Sequence, residues 1–234
     1  MSVLHRDHMS GTAYPPDNYT HNEFDPGDPY NKTHWTHLIE GHPCYDPEKD
    51  LVVPSVKRPS HYHYSPLVGA PLQPKKHLLY FRGDVGKARL PNYSRGIRQK
   101  LYKLSKSGWK QKYNISIGDG HDLPGDYSQE LASSKFCLVA PGDGFSARAE
   151  DAMLHGCVPC VIQDDVHTSY QSILAWHRFS IQIPESKIEQ VPEILMGIPE
   201  ERVRWMAARV RRVMHRFAYL SHPLMKQQFL ELRA

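Results

Sequence analysis

The residues best equipped for chemistry lie in one stretch, Phe136 to Gly156, FCLVAPGDGFSARAEDAMLHG, which reads as strand, turn and helix. Its turn carries Gly142 and Gly144, which let the backbone approach a ligand closely. Ser146 follows as the expected helix N-cap, aiming free amide groups at an anion. Arg148 stands in the first turn of that helix, within reach of the same anion. The spacing i, i+3, i+7 sets Arg148, Asp151 and His155 along one edge, beside a small apolar face of Ala149, Ala152, Met153 and Gly156 suited to packing on a sheet. Glu150 and Asp151 are both candidates to accept hydrogen bonds from ribose hydroxyls. The glycine spacing is neither G-x-G-x-x-G nor G-x-x-x-x-G-K-S/T, which argues against a dinucleotide site or a P-loop.

A second basic cluster begins at Arg82, directly after the apolar run Leu78 to Phe81, with Gly83 and Gly86 nearby and Arg89, Arg95 and Arg98 leading into the next segment. A guanidinium fork suits a diphosphate because it donates two parallel hydrogen bonds. Arg82, at a strand end, is the candidate ligand, and the other three read as surface charges. The CVPC run at Cys157 to Cys160 resembles a redox dithiol, but it lies in an apolar stretch with a strand's character and not at a helix start, where a thiolate would be stabilised. No second Cys or His pair follows at ligand spacing, so no metal site is expected. His61 and His63, in a tyrosine-rich loop, read as solvated or packed.

These residues need a scaffold that brings strand ends together. Short apolar strands are expected at His77 to Phe81, Tyr113 to Ile117, Lys135 to Val139, Cys157 to Ile162 and Phe179 to Ile183. Helices are expected at Ser94 to Ser105, Tyr127 to Ser133, Ser146 to His155, and around Ser169 to Trp176. Two more follow at the C-terminal end, the last from Pro199 to about Tyr219 with Val203, Met206, Val210, Val213 and Phe217 on one face. Strand-helix alternation predicts an α/β fold, a Rossmann-like parallel sheet with flanking helices and ligands at the carboxyl ends of its strands. Residues 77–220 form that domain, 1–45 an irregular N-terminal extension rich in His, Asp, Asn, Pro and Tyr, 46–76 a proline-punctuated linker over the surface, and 221–234 a tail.

With 234 residues there is room for one good core. The net charge of +4 is spread among interspersed acids and bases, which gives no concentrated patch for nucleic acid. No apolar run approaches the length of a membrane span, and the polar, proline-rich start is no signal peptide. Four of the five asparagines, Asn18, Asn31, Asn92 and Asn114, open an N-x-S/T pattern, where chance would give about one. That excess points toward the secretory pathway.

Five stretches, in this order, resemble the exostosin family, glycosyltransferase family forty-seven, and most of all its green-algal and plant members: DLVVPSVKRP (Asp50 to Pro59), LLYFRGDVG (Leu78 to Gly86), SKFCLVAPGDGFSARAEDA (Ser134 to Ala152), HGCVPCVIQD (His155 to Asp164) and LAWHRFSIQIPE (Leu174 to Glu185). The resemblance covers roughly Gly41 to Phe217. It implies the C-terminal, donor-binding half of a two-domain GT-B enzyme. Such an enzyme is Golgi-resident, takes a nucleotide sugar, usually a UDP-sugar, and transfers the sugar with inversion to a glycan or glycoprotein acceptor, with no cofactor beyond the donor. Carried over residue by residue, Arg82 and Arg148 would hold the diphosphate, with Gly83, Gly142, Gly144 and Ser146 approaching it. The family pattern S-x-R-x-x-E-A puts its ribose-binding glutamate at Asp151, one methylene shorter, so that either Asp151 or Glu150 serves. Arginines and helix-end amides would stabilise the departing nucleoside diphosphate, while the base that takes the acceptor proton would come from the other half. About seventy residues precede the first strand, too few for that half. The catalytic residues are therefore not identified, and the alternative is a non-catalytic nucleotide- or glycan-binding module.

Overall fold

The structure, a computed structural model, describes residues 2–3, 50–142 and 146–219. Apart from Ser2–Val3, which pair in parallel with Asp50–Leu51, the expected lead-in lies outside the described residues, as do the tail, Gly144, Asn18 and Asn31. Five strands, β1 (His77–Arg82), β2 (Ile115–Gly118), β3 (Ser134–Val139), β4 (Val158–Val161) and β5 (Ile181–Gln182), make one sheet in the order β2-β1-β3-β4-β5. Every neighbouring pair is parallel. The expected Rossmann-like α/β architecture is therefore present. After β1 the chain moves outward to β2 and then crosses back to β3, so the loops leaving β1 and β3 diverge. A doubly wound sheet opens its ligand crevice at that switch point, beyond the carboxyl ends of the strands.

Period-two burial explains why these segments became strands. On one face Leu79, Phe81, Phe136, Leu138, Val158 and Cys160 join Ile97 and Leu101 of α1 (Ile97–Leu104), Val191 and Leu195 of the helix Val191–Met196, and Val203 and Met206 of the last helix, in a single apolar cluster. On the other face Tyr80, Cys137, Val139 and Val161 meet the small face of the helix that follows β3. In chain order the remaining helices are α2 (Lys110–Tyr113), α3 (Tyr127–Ala132), α4 (Arg148–Leu154), α5 (Val191–Met196) and α6 (Glu200–Val213). Burial of both sheet faces is what an all-parallel sheet requires. Helix α6 serves both layers, with Val203 and Met206 in the first cluster and Val210 in the second.

Several expectations change, each for a local reason. The helix expected from Ser94 begins at Ile97, because Ser94 and Arg95 take φ of 53° and 51° and Gly96 of 75°, a left-handed turn that a helix cannot contain. The helix expected around Ser169 to Trp176 is a set of turns ending in the single 3-10 turn Trp176–Arg178. There Tyr170, at φ 58°, donates its N–H to Val52 O at 2.8 Å, and Trp176 Nε1 donates to Ser169 O at 3.0 Å. Tertiary bonds replace helical ones. The segment read as a surface linker sends Val52, Tyr62 and Leu67 into the interior. Helix α4 starts at Arg148, with Ala147 at its N-cap and no side-chain capping bond, so Ser146 does not cap it. Gly156, at φ 63°, ends the helix region as expected.

The cysteines resolve differently from the dithiol resemblance. Cys137 and Cys157 form a disulfide, and Cys160 is a buried free thiol pushed up to about 12 by burial. Cys157 and Cys160 therefore do not act as a redox pair.

Candidate functional site

Strand β1 delivers Arg82 and Gly83 to its carboxyl end, and β3 delivers Ala140, Pro141 and Gly142 beside them. Helix α4 then returns Arg148 to the same place. A Cβ on Gly83 would stand 2.8 Å from Arg148 Nη2, so the missing side chain is what lets this guanidinium lie against the end of β1. Arg82 and Arg148 share one aromatic ring: their guanidinium carbons lie 4.9 Å and 5.6 Å from the centre of Tyr127, the first residue of α3. Arg148 also lies 5.8 Å from the Phe81 ring. The two arginines proposed from sequence are thus brought together at the β1/β3 switch point.

Their remaining partners differ. Arg82 Nη1 donates to Leu123 O at 3.2 Å and to Gly125 O at 2.8 Å, which ties it to the loop before α3. Arg148 Nη1 donates to Asp151 Oδ2 at 3.0 Å, its side chain stays 28% exposed, and its Nε is buried without a hydrogen-bond partner among the described residues. The Tyr127 hydroxyl donates to the same Asp151 Oδ2 at 2.9 Å, and Lys57 Nζ lies 2.9 Å from Oδ1. Burial works to raise the Asp151 carboxyl, but Lys57 and Arg148 outweigh it and hold Asp151 below the usual carboxylate range. One ionised carboxylate therefore holds two cations.

Glu150 has the opposite environment. It is 0% exposed, and burial pushes its carboxyl above the usual range against the pull of Ser169 and Lys57. Its Oε1 accepts from Ser169 Oγ at 2.7 Å and from Ser55 N at 3.3 Å, while Oε2 has no partner among the described residues. His155, expected on the same edge as Arg148, instead turns inward, with Nδ1 2.7 Å from Asp151 O and Nε2 2.8 Å from Ser128 Oγ. Burial lowers its pKa, which favours the neutral ring.

The glycine turn is more enclosed at its edges than expected. Pro141, Gly142 and Ser146 are buried, Ser94 Oγ donates to Pro141 O at 2.6 Å, and the group facing Gly142 is the Arg98 guanidinium, 3.4 Å from where a Cβ would stand. Arg98 was read as a surface charge. It is instead nearly buried, donating to Ala140 O and the Tyr93 hydroxyl at 2.8 Å each and to Asp84 O at 3.1 Å. The other two arginines of that cluster pair locally, Arg89 with Asp84 and Arg95 with Glu185.

Sequence reasoning missed Lys57, Tyr127 and Arg98. Lys57 lay in an apparent linker, Tyr127 read as an ordinary helix start, and Arg98 sat among other arginines. The one available signal was for Lys57, whose DLVVPSVKRP stretch was among the matching stretches although no chemistry was assigned to it. Among the described residues no group of three or more His, Cys, Asp or Glu could hold a metal, and no helix is long and apolar enough to cross a membrane.

Comparison with known proteins adds what geometry cannot. The Exostosin GT47 domain family model matches residues 6–198, reaching well upstream of the stretch Asp50 to Pro59. A probable glycosyltransferase of Arabidopsis thaliana is 25% identical over 182 residues, 76% of this chain and 36% of its own length. The probable glucuronosyltransferase GUT1 of Oryza sativa subsp. japonica is 27% identical over 165 residues, 68% of this chain and 36% of its own length. Human exostosin-2 is 36% identical over 87 residues, 37% of this chain and 12% of its own length. The chain thus spans 36% of the length of each of those two plant relatives.

Proposed function

Because the chain belongs to the exostosin family of glycosyltransferases, we propose that the Arg82, Tyr127, Arg148 site binds the diphosphate of a nucleotide sugar, a UDP-sugar, for inverting transfer to a glycan or glycoprotein acceptor. The observation that carries this reading is the Arg148 guanidinium: partly exposed, oriented by Asp151, and sharing the Tyr127 ring with Arg82 at the switch point of the sheet. A planar fork fixed in advance stabilises the charge that develops on a departing diphosphate without reorganising during the reaction. Arg82 adds a second cation against the same ring.

The two neighbouring carboxylates then divide the work. Asp151 is engaged with Lys57, Arg148 and Tyr127, and its role is to orient the cations. Glu150 keeps one oxygen without a partner among the described residues and is the candidate acceptor for a ribose hydroxyl, which the donor reaches only by displacing the side chains that bury it. Gly83 contributes closeness of approach, and Gly142, backed by Arg98, shapes the wall beside it. The base that takes the acceptor proton is not among these groups.

Two observations favour a secretory, Golgi setting. The Cys137–Cys157 disulfide belongs to oxidising compartments, and the sequon asparagines Asn92 and Asn114 are both exposed.

The test is a calorimetric titration with UDP, GDP and their sugars, followed by an assay for UDP release from UDP-sugars in the presence of glycan acceptors. UDP is expected to bind in the micromolar-to-millimolar range, more tightly than GDP. Absence of any heat with all four ligands would refute the assignment. UDP binding without release would identify a binding module instead of an enzyme.

A further inference from the structure

Lys57 stands 2.9 Å from Asp151 Oδ1 although it comes from the segment ahead of the sheet, 94 residues away in the chain. Three tethers hold that segment. Tyr170 N donates to Val52 O at 2.8 Å, the Tyr219 hydroxyl donates to Pro54 O at 2.9 Å, and Ser55 N donates to the buried Glu150 Oε1 at 3.3 Å. The last tether is a carboxylate two residues along the chain from Arg148. The same helix turn thus holds the phosphate-facing arginine, through Asp151, and the backbone that carries Lys57, through Glu150.

The charge balance is uneven. Lys57, Arg82 and Arg148 bring three positive charges and Asp151 brings one negative, while burial favours the uncharged form of Glu150. Two cations are left in excess around a site where Lys57 is only 14% exposed. Desolvated cations in excess of their counter-ions are costly unless an anion completes the set. A diphosphate supplies about the missing charge.

We propose that Lys57 is a further phosphate-binding residue of this site, positioned by the Ser55–Glu150 hydrogen bond. This rests on the nucleotide-sugar reading above. Lysine suits the place as a compact charge on a flexible stem that can turn from Asp151 to a phosphate oxygen, while Arg148 keeps Asp151 neutralised.

The test compares UDP with uridine, which lacks the phosphates, by titration calorimetry on the full chain. Lys57→Met is expected to weaken UDP about tenfold and uridine less than about twofold, with Lys57→Arg recovering most of the UDP loss. Equal weakening of both ligands would assign Lys57 a merely structural role and overturn the proposal, as would UDP affinity unchanged in Lys57→Met. In the wild-type protein, reductive methylation of Lys57 followed by mass spectrometry gives a readout independent of how the variant folds. UDP should slow it and uridine should not, and equal rates with both would contradict the proposal. Wild type that binds neither ligand would overturn the nucleotide reading itself, whereas tight UDP binding indifferent to Lys57 would overturn only this inference.

Discussion

Two guanidinium groups flank the Phe81 ring, Arg98 at 5.1 Å and Arg148 at 5.8 Å, and they make opposite use of similar positions. Arg98 is directed at the protein itself: Ala140 O, Asp84 O and the Tyr93 hydroxyl fix it between the loops that leave β1 and β3. Arg148 is fixed by one carboxylate, keeps an Nε without a partner among the described residues and remains partly exposed. A buried arginine whose donors go to backbone carbonyls is a brace. One whose fork is aimed by a carboxylate and left incomplete is arranged for an incoming anion. Proximity to the site does not separate the two residues, but the chemistry of their Nη partners and their exposure do, carbonyls around a buried Arg98 against a carboxylate beside a partly exposed Arg148.

The largest expected effect is on the brace. Arg98→Ala should cost about 3 to 4 kcal/mol in urea unfolding, since a buried carbonyl, a half-buried one and a tyrosine hydroxyl lose their donor together. A loss below about 1 kcal/mol would erase the distinction between the arginines. Next is the disulfide, which closes the loop carrying the glycine turn and Arg148. Cys157→Ser should cost about 2 to 3 kcal/mol by the same measurement, and reductant should destabilise wild type but not the variant. Arg148→Ala should weaken UDP at least about tenfold, a loss of about 1.4 kcal/mol, while costing far less stability than Arg98→Ala. If it unfolds the protein as readily as Arg98→Ala, Arg148 is a brace too.

The smallest effect separates the two carboxylates. Glu150 has its folded-state pKa raised, so its contribution to stability is fully present below the ordinary carboxylate value of about 4.3 and is lost as pH rises through the raised value. Glu150→Gln fixes the uncharged form and should gain stability relative to wild type as pH climbs above that value. Asp151 runs the other way: its pKa is held down, so its contribution is present above about 3.9 and is lost as pH falls through its lowered value. Melting temperatures of Glu150→Gln and Asp151→Asn across pH 3 to 8 read both signs, and parallel curves would contradict the division of roles.

Much of the sheet was legible in the sequence because parallel strands buried on both faces are short apolar runs between turn residues, as at Leu79 to Phe81 and Phe136 to Val139. The approach of Arg82 to Arg148 was legible through the family resemblance, which placed both on one diphosphate, and not through the alternation pattern, which leaves strand order open. Failures cluster where long-range bonds override local pattern. The turns at Ser169 to Trp176 are shaped by Val52, more than a hundred residues earlier, and Ser55 and Lys57 meet Glu150 and Asp151 across the fold in a way no periodicity records. Ser146 failed as a cap because its hydroxyl is buried and the helix begins two residues later. The cysteine pairing could not be read at all: strand character argued against a Cys157–Cys160 dithiol, and nothing local marks Cys137, which strand register sets beside Pro159 and within reach of Cys157.

The most direct test of the central claim is a crystal structure of the chain soaked with UDP. The account predicts both phosphates at the carboxyl ends of β1 and β3, with an oxygen about 3 Å from the Arg148 guanidinium and the Tyr127 ring beneath it. Phosphates bound elsewhere, with Arg148 still closed on Asp151 alone, would contradict it.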